Sequence, residues 1–427
     1  MKKIFYNKKN FEKKLDSLLL LRKNKINFRP VSVSKIINDV KKNGDKAVLK
    51  YEKKFNKNKA IVPNSKIISK LIKSLDKKVK RAIDLAYNRI FKFHSLQKFT
   101  DILYIDKFKN RLEYKYFPIE SVAIYVPGSS ASYPSSVLMN AIPALVAGVK
   151  RIVMINPSHK GKLNPAVLYA ARKCRIKEIY SIGGPSAIAA VAYGTNKIKK
   201  VNKIVGPGNV YVAAAKREVF GDVGIEGMIA GPSEITIVCD RYSKPEWVAS
   251  DLIGQAEHDI LAQCILISKS KQFLEKVQKQ ITKQLKDIPR VSIAKKSLIN
   301  NGILMHVNTD KKIIDVVNKI APEHLELNVK NFRSLVNKIK NAGSICLGKY
   351  AVMAMTDYNV GSNHVLPTNS SAMYSSGISV NDFNKRISYI NLSKKGIETL
   401  GPSVITLANY EGLEGHAQSI IKRIRRK

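Results

Sequence analysis

From residue 121 onward the chain alternates short apolar runs with helical segments, and that alternation restricts the fold more tightly than any other feature. Apolar runs at 122–126, 151–155, 178–182 and 203–205 each lead through a turn into a helix. A second series at 235–239, 264–268, 303–307, 325–328 and 344–347 repeats the pattern. Runs of this length, mostly apolar, suit strands covered on both faces, and strands alternating with helices build parallel sheets. The expected class is α/β with two such units. The turns after the first strands carry glycine, as in Gly183-Gly184 and Gly206-Pro207-Gly208-Asn209. Open parallel sheets bind ligands at that position, and glycine lets a backbone N–H approach a phosphate. No turn is a GxGxxG or a Walker A sequence, so nucleotide binding and simple tight connection stay open as readings.

The flanks read differently. Residues 1–24 have the pattern of an amphipathic helical arm, with Phe11, Leu15, Leu18 and Leu19 on one face among lysines. Residues 31–99 are helical and polar, interrupted at Asn43-Gly44, and the tail from Asn381 is expected to be mostly helical before its basic end at 422–427.

Length and composition bound the function. A chain of 427 residues has room for two or three domains. The net charge of +43 invites a nucleic-acid reading, but it comes mostly from lysines spread along the chain and thickest over 1–115. These form no arginine-rich stripe with aromatic platforms, so no specific nucleic-acid partner is expected, only weak attraction at low salt. No apolar run spans a bilayer and no signal-peptide core opens the chain, which points to the cytoplasm with no membrane partner. Cys174, Cys239, Cys264 and Cys346 have no paired spacing and read as reduced, buried residues.

The chemistry gathers in a few polar segments. Over 245–258 the apolar positions Trp247, Val248, Leu252 and Ile253 recur at helical steps, which places Gln255 and His258 on one face at i and i+3. An amide oxygen and an imidazole nitrogen that converge are half of a metal site. Of seven histidines, His258, His324, His364 and His416 fall in such segments, near Glu323, Asp357 and Glu411; His94, His159 and His306 read as incidental. One Gln, one Asp and two His would suit zinc or manganese with room for a substrate. Each also has a plainer reading: His324 at a strand edge, Asp357 in an Asx-turn, His416 on a helix face.

The motifs in order are Tyr125-Val-Pro-Gly-Ser, Lys203-Ile-Val-Gly-Pro-Gly-Asn209, Ala230-Gly-Pro-Ser-Glu234, Gln255-Ala-Glu-His258, Pro322-Glu-His324, Asn363-His-Val-Leu-Pro-Thr368 and Glu411-Gly-Leu-Glu-Gly-His416. In that order they resemble the histidinol dehydrogenase family over nearly the whole chain. The resemblance implies oxidation of L-histidinol to L-histidine through the aldehyde, with one zinc per subunit and NAD used twice. It implies Gln255, His258, Asp357 and His416 as zinc ligands, His324 as general base and Glu323 as the residue that activates water. Ser233, His364 and Glu411 match substrate contacts, and Tyr125, Ser186 and Asn209 match cofactor positions. The implied fold is two incomplete Rossmann-like parallel-sheet domains with small helical termini. Its expected layout is an arm at 1–24, a metal-bearing α/β domain from 25–124 and 235–378, a cofactor domain at 125–234, and a helical segment at 379–427. That last segment is expected to cross to the partner in a homodimer with shared sites.

Two departures stand out: Ser186 where the family usually has Gln, and Val352-Met353 where it tends to have Pro-Glu. They keep a second reading in view, an inactive homologue that retains the fold and zinc, beside a third, a basic nucleic-acid-binding protein.

Overall fold

The computed structural model describes residues 1–6, 10–26 (the side chains of 21–26 excepted), 30–128, 133–158, 162–226 and 231–424. Ser129, His159, Ala230 and the 425–427 end of the basic tail lie outside the described residues. The strand β1 (Lys2–Phe5) precedes helices α1 (Phe11–Ile26), α2 (Val31–Asn56), α3 (Ser65–Ser74) and α4 (Lys77–Ser95), and the antiparallel pair β2 (Ile102–Ile105) and β3 (Arg111–Pro118) follows. The first alternating series is β4 (Ser121–Tyr125), α5 (Pro134–Ala147), β5 (Arg151–Ile155), α6 (Pro165–Lys173), β6 (Glu178–Tyr180), α7 (Gly184–Tyr193), β7 (Lys203–Val205), α8 (Val210–Glu218) and β8 (Gly224–Ile225).

The second series opens with β9 (Glu234–Cys239), α9 (Pro245–Ala256), β10 (Gln263–Ser268), α10 (Lys271–Gln284), α11 (Val291–Asn301) and β11 (Ile303–His306). It continues through α12 (Asp310–Ile320), β12 (His324–Asn328), α13 (Arg333–Val336), β13 (Ser344–Leu347) and α14 (Met353–Tyr358). The chain closes with β14 (Asn384–Asn391), α15 (Lys394–Tyr410) and α16 (Glu414–Ile424).

Both alternating series close into parallel sheets. One has the order β6-β5-β4-β7-β8 and the other β1-β11-β10-β9-β12-β13. Each is covered on both faces, which is why its strands lack a polar side. In β4, Val122 and Ile124 enter one core while Ala123 and Tyr125 enter the opposite one. In β9, Ile235 and Ile237 pack to one side and Val238 to the other. The α/β class with two parallel sheets is as the sequence predicts. Side-chain caps fix several helix starts: Asn64 accepts from the Lys66 N–H, Asp76 from Lys78, and Asn209 from Tyr211 and Val212.

Three parts of the expected layout differ. The arm at 1–24 begins with a strand: β1 pairs with β11 at the sheet edge, with Ile4 turned inward. Its lysines hide the alternation, as edge strands often do. The segment 25–124 was expected beside the metal-bearing sheet, yet its helices pack on the other one. Val33, Ile37, Val40 and Val48 of α2 join the core of Tyr125 and Ile155, while Ile72, Ile83 and Ile90 of α3 and α4 join that of Val122 and Leu138. The tail at 379–427 has its helices, but β14 comes first and pairs with β3 along its length in a three-stranded antiparallel sheet. Strands exposed on both faces carry no hydrophobic period, so the sequence pattern passes over them.

Candidate active site

The polar residues meet at the amino edge of the six-stranded sheet, where β9 and β12 lie side by side with Ile235 opposite His324. Strand starts present backbone N–H groups, and carboxylates use them. Glu323 Oε2 accepts the Glu234 N–H at 2.8 Å, and Glu234 Oε1 accepts the Asn369 N–H at 2.6 Å. The Gly231 N–H donates to Thr368 Oγ1 at 2.7 Å, so segment 231–234 is stitched to the loop after His364. Only glycine fits at 231, since a Cβ there would lie 1.6 Å from Asn369 Nδ2.

His324 is the centre of the arrangement. It is 4 % exposed, and its Nε2 lies 3.8 Å from Asp357 Oδ1 and 3.9 Å from Glu323 Oε1. Neither is a hydrogen bond, so the gap accommodates another polar atom. Burial, then the nearby His364 and His258 imidazoles, lowers His324 to about 3 and keeps it neutral with its lone pair available. His364 Nδ1 sits 2.8 Å from the Asp357 carbonyl oxygen, which only accepts, so the bond needs the proton on Nδ1 and leaves Nε2 of the neutral ring as an acceptor. Burial lowers His258 and His364 as well, and it pushes Asp357 up to about 7.

Gln255 carries an independent signal. It is fully buried in the last turn of α9, and neither Oε1 nor Nε2 has a hydrogen-bond partner among the described residues. An orphaned buried amide costs about 1–3 kcal/mol, so a ligand for that oxygen is the expected compensation. The helix ends at Ala256, and His258 lies just beyond it, held by its N–H to the Gln255 carbonyl at 3.3 Å. The i and i+3 relation therefore survives in a turn rather than on the helix. Neutral imidazole, amide oxygen and carboxylate form a donor set that fits a borderline cation such as zinc. The fourth expected ligand is elsewhere. Glu411 and His416 are exposed at the ends of α15 and α16, which pack on each other. Among the described residues no three His, Cys, Asp or Glu side chains gather to hold a metal.

The expected cofactor positions lie at the carboxyl edge of the five-stranded sheet. Gly206, at φ +100°, passes so close to β4 that a Cβ would meet the Tyr125 carbonyl oxygen at 2.3 Å. The buried Tyr125 hydroxyl accepts the Gly184 N–H at 3.1 Å, and burial pushes it up to about 12. Ser186 is also buried and donates to the Gly183 carbonyl at 3.2 Å, while Asn209 is exposed with its oxygen capping α8. Ser233 is half-buried, and its carbonyl accepts the Gln263 N–H at 3.0 Å. Hydrogen bonds tie the 359–363 loop to helices packed on the five-stranded sheet: Asn363 Nδ2 donates to the Met139 carbonyl of α5 at 2.7 Å, and Arg89 Nε of α4 to that of Asn359 at 2.6 Å.

Sequence reasoning missed four buried groups. Glu52 of α2 accepts the Gly183 N–H at 2.7 Å. Lys216 of α8 is 1 % exposed and donates to the Gly206 carbonyl at 2.5 Å. Asp251 and Glu326 bring two carboxyl groups together beneath the site. Glu52 sits in a lysine-rich helix and Lys216 in a short alanine-rich one, where nothing in the sequence marks either. Glu326 could have been noticed as a lone acid in an otherwise apolar strand.

The site is thus a buried histidine with carboxyl oxygens at 3.8 and 3.9 Å, set at the amino edge of a parallel sheet in an α/β fold. A family profile described as histidinol dehydrogenase matches residues 22–424. A histidinol dehydrogenase of Pelagibacter ubique is 78 % identical over 419 residues, 98 % of each chain, and one of Nitrosomonas europaea is 43 % identical over 97 % of each. The crystal structure of histidinol dehydrogenase from Elizabethkingia anophelis superposes with a TM-score of 0.92 at 36 % identity, covering 99 % of this chain and 98 % of that one. The chain belongs to the histidinol dehydrogenase family and is an oxidoreductase.

Proposed function

We propose that this protein oxidises L-histidinol to L-histidine by way of the aldehyde, in the final step of histidine biosynthesis, delivering two hydrides to two NAD. The observation that carries this is the position of the neutral His324 Nε2 between the Glu323 and Asp357 carboxyl oxygens. In the first half, His324 takes the hydroxyl proton as the carbon loses hydride to NAD, giving the aldehyde. In the second, Glu323 draws a proton from water that adds to the aldehyde, and the hydrate loses the second hydride to give the carboxylate. Alcohol deprotonation and aldehyde hydration need separate bases, and two adjacent residues supply them. Burial excludes bulk water from the reacting carbon between the halves.

Gln255, His258, Asp357 and His416 would hold zinc, which when bound anchors the imidazole and amino nitrogens of the substrate. Ser233, His364 and Glu411 are the remaining substrate contacts. NAD is assigned to the edge of Tyr125, Ser186 and Asn209, where the Asn209 position is open to solvent. We assign the metal to the six-stranded sheet and the cofactor to the five-stranded one. The protein acts as a homodimer in which the 379–427 segment carries Glu411 and His416 to the partner's site. Supporting this, α15 and its following turn expose Leu407, Tyr410 and Leu413, an apolar face that a lone chain would leave in water. No described helix is long and apolar enough to cross a membrane, and the proposed location is the cytoplasm.

The test is NADH formed per L-histidinol consumed, with zinc-loaded and chelator-stripped protein. Two NADH, lost on stripping and restored by zinc, are expected. One NADH with accumulating aldehyde, or activity indifferent to stripping, would overturn the reading.

A further inference from the structure

The three elements that carry the site are joined one layer below it. Asp251 lies on α9 one turn before Gln255; Glu326 lies on β12 two residues after His324, on the same strand face; Met353 opens α14 one turn before Asp357. The Asp251 and Glu326 carboxyl groups lie close enough to act on each other directly, and Glu326 Oε1 accepts the Met353 N–H at 2.7 Å. Glu326 is 1 % exposed. Asp251 Oδ2 and Glu326 Oε2 are buried, and neither has an N–H or O–H donor among the described residues.

Two carboxylates cannot bond to each other, since both only accept. Two buried carboxyl oxygens without donors are relieved when the pair shares one proton. Burial and then the Asp251 charge raise Glu326, burial raises Asp251, and the Cys346 thiol that faces both stays neutral. We propose that Asp251 and Glu326 are positioning residues for this site: a proton-bridged carboxyl pair that, with the Met353 N–H, fixes α9, β12 and α14 relative to one another. The inference rests on Gln255, His258 and Asp357 acting as metal ligands. It also accounts for Met353: this position contributes its backbone N–H to the strut, and its side chain packs in the apolar core beside Val248 and Leu252. The carboxylate expected there is not needed for the link.

Zinc affinity of the full-length protein, by chelator competition, tests it. In Glu326→Leu the link is gone, and affinity falls about 10–100-fold, as for other residues that orient metal ligands. In Glu326→Gln the amide donates to the Asp251 carboxylate and its oxygen still accepts from Met353, so affinity stays near that of the unsubstituted protein. A lower melting temperature with unchanged zinc affinity in Glu326→Leu would overturn the proposal, because a purely structural strut predicts that pattern. If Glu326→Leu does not fold, infrared difference spectra decide. The unsubstituted protein at neutral pH should show a protonated carboxylic acid C=O stretch that Glu326→Gln lacks; no such band refutes the pair. Failure of the unsubstituted protein to take up zinc would sink the metal reading, while the infrared band would still report on the pair.

Discussion

Gln255→Leu should change stability in opposite directions with and without zinc. In the metal-free protein both polar atoms of the Gln255 amide are buried and unpartnered. Burying an amide without hydrogen bonds costs about 1–3 kcal/mol, and leucine fills nearly the same space without that penalty. The chelator-stripped variant should therefore be more stable by about 1–3 kcal/mol. At about 2.1 cal/mol/K per residue, unfolding 427 residues cooperatively carries an entropy of about 0.9 kcal/mol/K, so the gain is about 1–3 °C in midpoint. With zinc present the order reverses, since a bound metal at a thousand times its Kd adds about 4 kcal/mol that the variant lacks. Differential scanning calorimetry on both forms measures each arm. A stripped variant less stable than its parent would show that the amide already has partners, and the argument for Gln255 as a ligand would lose its physical basis.

Replacing His324 with Ala should abolish the first oxidation and leave zinc content unchanged; metal loss on elemental analysis would mean its role is mis-assigned. Glu323→Gln should slow the aldehyde-to-acid half by about 10²–10⁴-fold, and the alcohol-to-aldehyde half far less, in single-turnover assays; equal slowing rules the assignment out. Burial lowers Lys216 to about 7 from an ordinary 10.5, so between those pH values the unfolded chain holds a proton that the native protein does not. Stability should then rise with pH by up to about 1.4 kcal/mol per unit across that window, and Lys216→Met should flatten the rise in urea titrations at pH 7 to 10. An identical slope in the two proteins would show that Lys216 stays charged in its pocket.

The sequence exposed what repeats and what is apolar. Both parallel sheets were legible because Val122, Ile124, Ile235 and Ile237 belong to runs that bury both faces. The dipeptide Glu323-His324, proposed as catalytic, stood out for the opposite reason, polar residues opening a largely apolar strand. Three kinds of feature stayed hidden. The sheet of β2, β3 and β14 buries too little to impose a period. The helices at 31–95 show which face is apolar but not which sheet it meets, because that choice depends on chain reversal far from the helices themselves. Partner choice for a buried charge was invisible as well: Glu52, Lys216, Asp251 and Glu326 are ordinary letters in sequence, and only the folded distances give them roles.

Fold and chemistry meet in an unusual choice of edge. Open parallel sheets normally place ligands at strand carboxyl ends, the edge of the five-stranded sheet where the Gly183 and Gly206 turns lie. The proton-handling residues instead use the amino edge of the second sheet, and the physical reason lies in the groups found there. The start of β9 offers an N–H that Glu323 accepts, and the loop at Asn369 offers one to Glu234, so backbone donors help to aim both acids. A cation held against Glu323 would favour its ionised form and weaken it as the base proposed for water. Backbone N–H donors carry no full charge, so they orient a carboxylate with less loss of basicity than a lysine would.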